Sequence, residues 1–194
     1  MNQSGPIDPF RALVARLEAA DPATAAHGRA LAVLAARIGA EMRLGRLVVE
    51  FLGRCGLIHD VGKLYVPAAL VHANRALSPV ERAALAAHVV EGERALAADP
   101  ELDVYREAVR SHHERFDGRG YPDRLRGERI PLHARILAVA DAYDAMTGER
   151  SYRFPLVPDR ALVELERGRG SQFDPEVVDA LAAVVGAGLR PLSA

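Results

Sequence analysis

A histidine and an aspartate stand side by side at His59-Asp60, closing an apolar run from Leu47-Val48-Val49 to Leu57-Ile58. Such a run reads as a helix heading into a core, where both side chains are costly unless something pairs with them. Neighbours on a helix point about 100° apart, because there are ~3.6 residues per turn. The pair can serve one metal ion only near a helix end, or two neighbouring ions with the carboxylate bridging. Gly62 is expected to loosen the helix there, letting Lys63 fold its positive charge back toward the same spot. The alternative is an HD dipeptide on a solvated helix face. The pair alone does not separate the two readings; the supply of further donors does.

Those further donors are His27, His88, His112, His113 and Asp141. Taken singly, His27 reads as a surface or capping histidine, and His88, among apolar neighbours, as a buried satisfied histidine or a ligand. Imidazole and carboxylate donors without thiolates suit Fe, Mn, Zn or Ni and argue against a Cys-type structural zinc site. Seven donors exceed what one tetrahedral ion takes, and a bridging Asp60 between two ions resolves the excess. Two ions ~3.5–4 Å apart can clamp the attacking and leaving oxygens of a phosphodiester. His72 and His133 read as surface residues. The single cysteine, Cys55, lies inside the apolar helix and reads as packing rather than as a nucleophile. With no partner for a disulfide, the default setting is reducing and cytoplasmic.

The elements that must carry these donors are helical. Apolar positions at helical spacing predict helices over residues 10–20 and 23–42, the second with Leu31, Leu34, Ala35 and Ile38 inward. Asp21-Pro22 separates them as cap and first-turn proline, and the helix ending in His59-Asp60 follows Gly45. Pro67 is expected to extend residues 64–67 into a loop. Ser78-Pro79-Val80-Glu81 opens a helix with a capping box, and that helix carries Leu85, His88, Val89, Gly92 and Leu96. A helix over residues 101–111 delivers His112 and His113. The glycines and proline of residues 112–122 then require an irregular loop whose backbone approaches something closely. A helix over residues 133–147 holds Asp141 and Asp144 three apart, on one face. Two helices read as polar, residues 159–167 and 174–185, close the chain.

Composition sets the class. With 49% hydrophobic and 26% charged residues, 194 positions suffice for one globular domain with a sizeable core. Lys plus Arg number 25 against 26 Asp plus Glu, so there is no electrostatic footprint for DNA or RNA. No apolar run reaches membrane-spanning length, and no signal pattern opens the chain. A single all-α domain over residues 1–194 is expected, with residues 1–20 as lead-in and first helix.

Together these stretches resemble the HD-GYP domain, a subgroup of the HD phosphohydrolases. The resemblance is carried by HDVGK at 59–63 with VP at 66–67, the HHERFDGRGYP element at 112–122, and IPLHARILAVADAYDAMT at 130–147. ERSYR at 149–153 and FDPEVV at 173–178 add to it, and it spans about residues 24–186. It implies a helical bundle with a dinuclear centre that hydrolyses cyclic di-GMP to pGpG or GMP, with Fe or Mn the favoured metals. The implied ligands are His27, His59, Asp60, His88, His112, His113 and Asp141, with Asp60 bridging and also counted as catalytic. Lys63 matches a lysine that stabilises phosphate or assists the leaving oxygen. Arg150 and Arg153 match a basic pair that grips phosphate. Gly120 and Tyr121 belong to the signature loop, which either touches substrate or braces the His112-His113 helix end. Asp144 is expected behind the ligands, orienting one of them or Lys63.

The chain departs from the family in two places. Members with three metals carry a glutamate where Ala23 stands, which favours two ions here, and Ser151 replaces a usual proline beside Arg150. Regulation is expected from a separate sensor or GGDEF-type protein. The rival readings are an HD enzyme acting on another cyclic dinucleotide, such as cyclic GMP-AMP, or on another nucleotide, and a non-catalytic module that binds cyclic di-GMP or docks on a cyclase.

Overall fold

The computed structural model describes residues 8–148 and 154–189, and of residues 187–189 the backbone only. Ten α-helices follow in order among the described residues: α1 (Pro9–Ala20), α2 (Pro22–Glu41), α3 (Arg46–Ile58), α4 (Ala68–Val71), α5 (Pro79–Ala86), α6 (His88–Ala97), α7 (Arg106–Ser111), α8 (Leu132–Thr147), α9 (Pro158–Arg167) and α10 (Pro175–Leu189). Short 3₁₀ turns at Val61–Tyr65, Asp103–Tyr105 and Gly127–Arg129 join some of them. No strand occurs among the described residues, and the all-α expectation holds.

Local chemistry explains most helix starts. Asp8 and Asp21 accept the first free amides of α1 and α2, each followed by a proline at the first helical position. Ser78 and Glu81 exchange both bonds of a capping box, Glu81 N to Ser78 Oγ at 3.3 Å and Ser78 N to Glu81 Oε2 at 2.8 Å. One apolar core draws Leu31 and Ile38 from α2, Leu52 and Ile58 from α3, Leu96 from α6, and Val109 from α7. Ile136 and Leu137 of α8 and Leu165 of α9 complete it from the other side. The long pair α2 and α3 forms the spine, with α8 and α1 against it.

The structure corrects several expectations. The helix read as continuous from Ser78 breaks at Ala87, and His88 begins a separate element. The segment read as helix 101–111 enters through the 3₁₀ turn before α7. The last helix is not polar: Val177, Val178, Leu181 and Val184 of α10 are buried. α3 starts exposed at Leu47 and Val48 and only then turns inward. His133 is not a surface residue. α8 lays its first turn on the rest of the bundle, so the His133 ring meets Phe51 edge-on at 5.6 Å and its Nε2 is buried. His72 is exposed as expected, 3.4 Å from Asp21. Cys55 is fully buried, and burial pushes its thiol pKa up, in keeping with packing rather than nucleophilic chemistry.

Candidate metal centre

Five segments deliver their donors to one place: α2 brings His27, the end of α3 brings His59 and Asp60, and the start of α6 brings His88. The end of α7 brings His112 and His113, and the middle of α8 brings Asp141 and Asp144. Close backbone approach makes this possible. A Cβ on Gly56 would lie 2.6 Å from the Ala32 backbone, so the glycine lets α3 sit directly on α2. The His27 and His59 rings then meet at 5.1 Å. Gly62 does not loosen a helix, as the sequence suggested. It lies against α6 so closely that a Cβ would fall 1.8 Å from the His88 carbonyl oxygen, and this contact brings Asp60 to His88.

Donor atoms fall into two overlapping groups. Asp60, His88, His112 and His113 place one ligand atom each within 4.8 Å of one another, and so do His27, His59 and Asp60. Asp60 belongs to both, as a bridging carboxylate must. Asp141 reaches the same spot from α8, its Oδ1 lying 3.0 Å from His27 Nε2.

The imidazoles are prepared for a cation. His59, His88 and His112 each bring Nδ1 within 2.8–2.9 Å of the carbonyl three residues earlier, at Gly56, Leu85 and Val109. A carbonyl accepts only, so Nδ1 must carry the proton, and Nε2 presents a lone pair. All three Nε2 atoms are buried without a hydrogen-bond partner. Those of His59 and His88 lie 3.2 and 3.3 Å from Asp60 oxygens. Buried lone pairs aimed at carboxylate oxygens are unfavourable unless a cation sits among them. The donor set, mixed nitrogen and oxygen without sulfur, fits Fe, Mn, Zn or Ni.

On the His112 and His113 side, titration behaviour agrees. Burial, reinforced by the neighbouring His113, drives His112 well below the ordinary histidine range; burial also brings His113 down to about 4, so both are neutral donors near pH 7. Burial would raise the Asp60 carboxyl, but its contacts with His59 and Lys63 outweigh it and hold it well below the usual range. Asp141 is likewise lowered by His27 against the effect of burial. Burial opposes charge on His27, yet its contacts with Asp141 and Asp144 lift it to about 9.

Lys63 folds back as expected, its Nζ 2.5 Å from Asp60 Oδ2 and about a quarter exposed. Tyr121 stands at the rim, its ring 5.0 Å from that of His113. Gly120 packs inside its own loop, where a Cβ would lie 2.3 Å from the Arg115 amide nitrogen. Arg150 and Arg153 lie outside the described residues. The sequence reading missed Glu114. Its buried carboxylate accepts from Asp123 N at 2.7 Å and Leu125 N at 3.1 Å, folding the loop back over the His112-His113 end. The signal was present as an acid directly after the histidine pair, but nothing in the sequence shows the backbone amides it accepts from.

A sequence profile described as HD domain matches residues 12–177. The chain belongs to the HD domain family. The 3′3′-cGAMP-specific phosphodiesterase 2 of Vibrio cholerae is 33% identical over 167 residues, 85% of this HD domain chain and 32% of that protein. A cyclic di-GMP phosphodiesterase of Thermotoga maritima is 35% identical over 162 residues, 82% of this chain and 44% of its own length. The chain therefore spans less than half the length of these curated relatives. Among solved structures, Bd1817, an HDG"Y"P protein from Bdellovibrio bacteriovorus, superposes with a TM-score of 0.68 at 19% identity, over 86% of this chain and 53% of that one. That likeness is one of fold. No described helix of this HD domain is long and apolar enough to cross a membrane.

Proposed function

We propose that this HD domain is a phosphodiesterase that hydrolyses cyclic di-GMP to pGpG, and onward to GMP, with two divalent cations, Fe or Mn, in the cytoplasm. The observation that carries the reading is the shared Asp60, common to two groups of buried donors whose Nε2 lone pairs lack protein partners. His27, His59 and Asp141 would hold one cation, and His88, His112 and His113 the other, with Asp60 between them. Bound there, divalent cations would acidify water toward a pKa of ~7 and neutralise charge on a phosphodiester.

The chain's own residues do the rest. Asp60, its carboxyl held below the usual range by His59 and Lys63, keeps the two positions together and orients the Lys63 ammonium. Lys63, partly open to solvent, stabilises the phosphate and assists proton delivery to the departing ribose oxygen. Tyr121, with Gly120 shaping its loop, borders the substrate over His113. Arg150 and Arg153 grip the second phosphate, and a separate sensor or GGDEF-type protein regulates the enzyme.

A second substrate reading has its own support, because relatives of similar identity bear the names of cyclic GMP-AMP and cyclic di-GMP enzymes. Manganese- or iron-loaded protein, assayed against both cyclic dinucleotides with chromatography of the products, tests both. Linear dinucleotide from cyclic di-GMP at the higher kcat/KM is expected. Faster cleavage of cyclic GMP-AMP would transfer the assignment, and binding without turnover would leave a non-catalytic binding module.

A further inference from the structure

The four histidines whose Nδ1 contacts are resolved here are not held alike. His59, His88 and His112 give their Nδ1 protons to carbonyls of their own chain segment, three residues back. His27 has its Nδ1 2.6 Å from Asp144 Oδ2, a carboxylate 117 residues away on α8. Its Nε2 lies 3.0 Å from Asp141, one helical turn earlier on that same α8. Two acids on one face of α8 thus bracket one imidazole of α2. A carboxylate behind a ligating histidine fixes the tautomer and ring orientation and raises the basicity of the donor nitrogen, more strongly than a neutral carbonyl does.

The two sides of the centre differ accordingly. On the His27 side stand His27, His59 and the carboxylates Asp60, Asp141 and Asp144. On the other side, three imidazoles share only Asp60. We propose that Asp144 is a positioning residue that makes the His27 side the tighter of the two ion positions, so that the pair fills in order rather than together. The inference rests on the dinuclear reading above and adds to it a ranking of the two positions and the residue responsible. An ordered pair has a functional consequence: at limiting metal the protein holds one ion, and turnover follows occupancy of the weaker, histidine-rich position beside Tyr121.

The test is calorimetric titration of Mn²⁺ into chelator-treated protein, wild type beside Asp144→Ala, Asp144→Asn and His113→Ala. The wild type should show two resolved binding steps. Asp144→Ala should weaken the tighter step by about 10- to 100-fold and leave the other in place. Asp144→Asn, whose amide oxygen can still accept from Nδ1, should recover part of the loss. His113→Ala should spare the tight step. A purely structural role for Asp144 is separated by the melting temperature of the metal-free proteins, which should fall little in Asp144→Asn while its tight step weakens. Unchanged tight binding in both Asp144 variants would overturn the ranking while leaving the dinuclear reading intact. Absence of Mn²⁺ binding by the wild type would overturn both.

Discussion

At the scale of single residues, the chemistry turns on which atoms are left without partners. A buried Nε2 whose ring is pinned through Nδ1 has one use for its lone pair, and three such atoms converge around Asp60. Asp60→Ala should therefore abolish metal retention and turnover together, as metal analysis beside product assay would record. Lys63→Ala should keep the metal content of the wild type and lose rate by roughly 10²- to 10⁴-fold, the range of a general acid's contribution. If Lys63→Ala lost metal as well, its role would be to hold Asp60 rather than to act on substrate. The donor residues were candidates in the sequence from their types, but His27 and His88 stood out as ligands only through the family resemblance. Their preparation was not legible, because the carbonyls of Gly56, Leu85 and Val109 are backbone atoms that no side-chain pattern announces. The spacing of Asp141 and Asp144 put both on one helix face, but their common partner lies in a distant segment.

At the scale of elements, glycines and one buried acid decide whether the segments can meet. Gly62→Ala would drive a Cβ into the His88 carbonyl, an atom of backbone that cannot swing aside. A loss of about 3 kcal/mol, the upper end for overpacking, is expected in denaturant melts, along with weakened metal binding. Gly186→Ala on α10 is the control: nothing lies within 4 Å of its Cβ position, and a gain of about 0.5–1 kcal/mol should follow. Glu114→Ala strands two backbone amides, each worth ~1–3 kcal/mol when left unpaired in a buried place. It should depress turnover through Tyr121 while metal content stays near normal, a combination that an assay and metal analysis on one sample can check. Element types were readable from spacing and caps, since Asp21-Pro22 and the Ser78–Glu81 box act locally. The break at Ala87 was not readable, because alanine is the best helix former and leaves no mark. It falls where the His88 ring takes the Leu85 carbonyl, a consequence of the site and not of propensity. For α10 the signal was present at Val177, Val178, Leu181 and Val184, and the charged residues beside them obscured it.

At the scale of the whole molecule, the centre is a crosslink as well as a site. Helices α2, α3, α6, α7 and α8 all bring donor side chains there, so cations that bind the folded chain alone should stabilise it by mass action. At a free metal concentration of 100 times Kd, that amounts to about 2.7 kcal/mol for each filled position, or roughly 5–10 °C apiece for a chain of this size. Chelation should remove that increment reversibly in a thermal melt, and a melt indifferent to metal would mean that the cluster holds none. The family match over residues 12–177 places the chain among HD domains, and the carboxylate shared by both donor groups is the feature on which the proposed dinuclear centre rests. Anomalous diffraction from crystals of manganese-loaded protein tests that feature most directly. Two peaks ~3.5–4 Å apart, one on each side of the Asp60 carboxylate, are predicted; a single peak, or peaks that Asp60 does not touch, would contradict it.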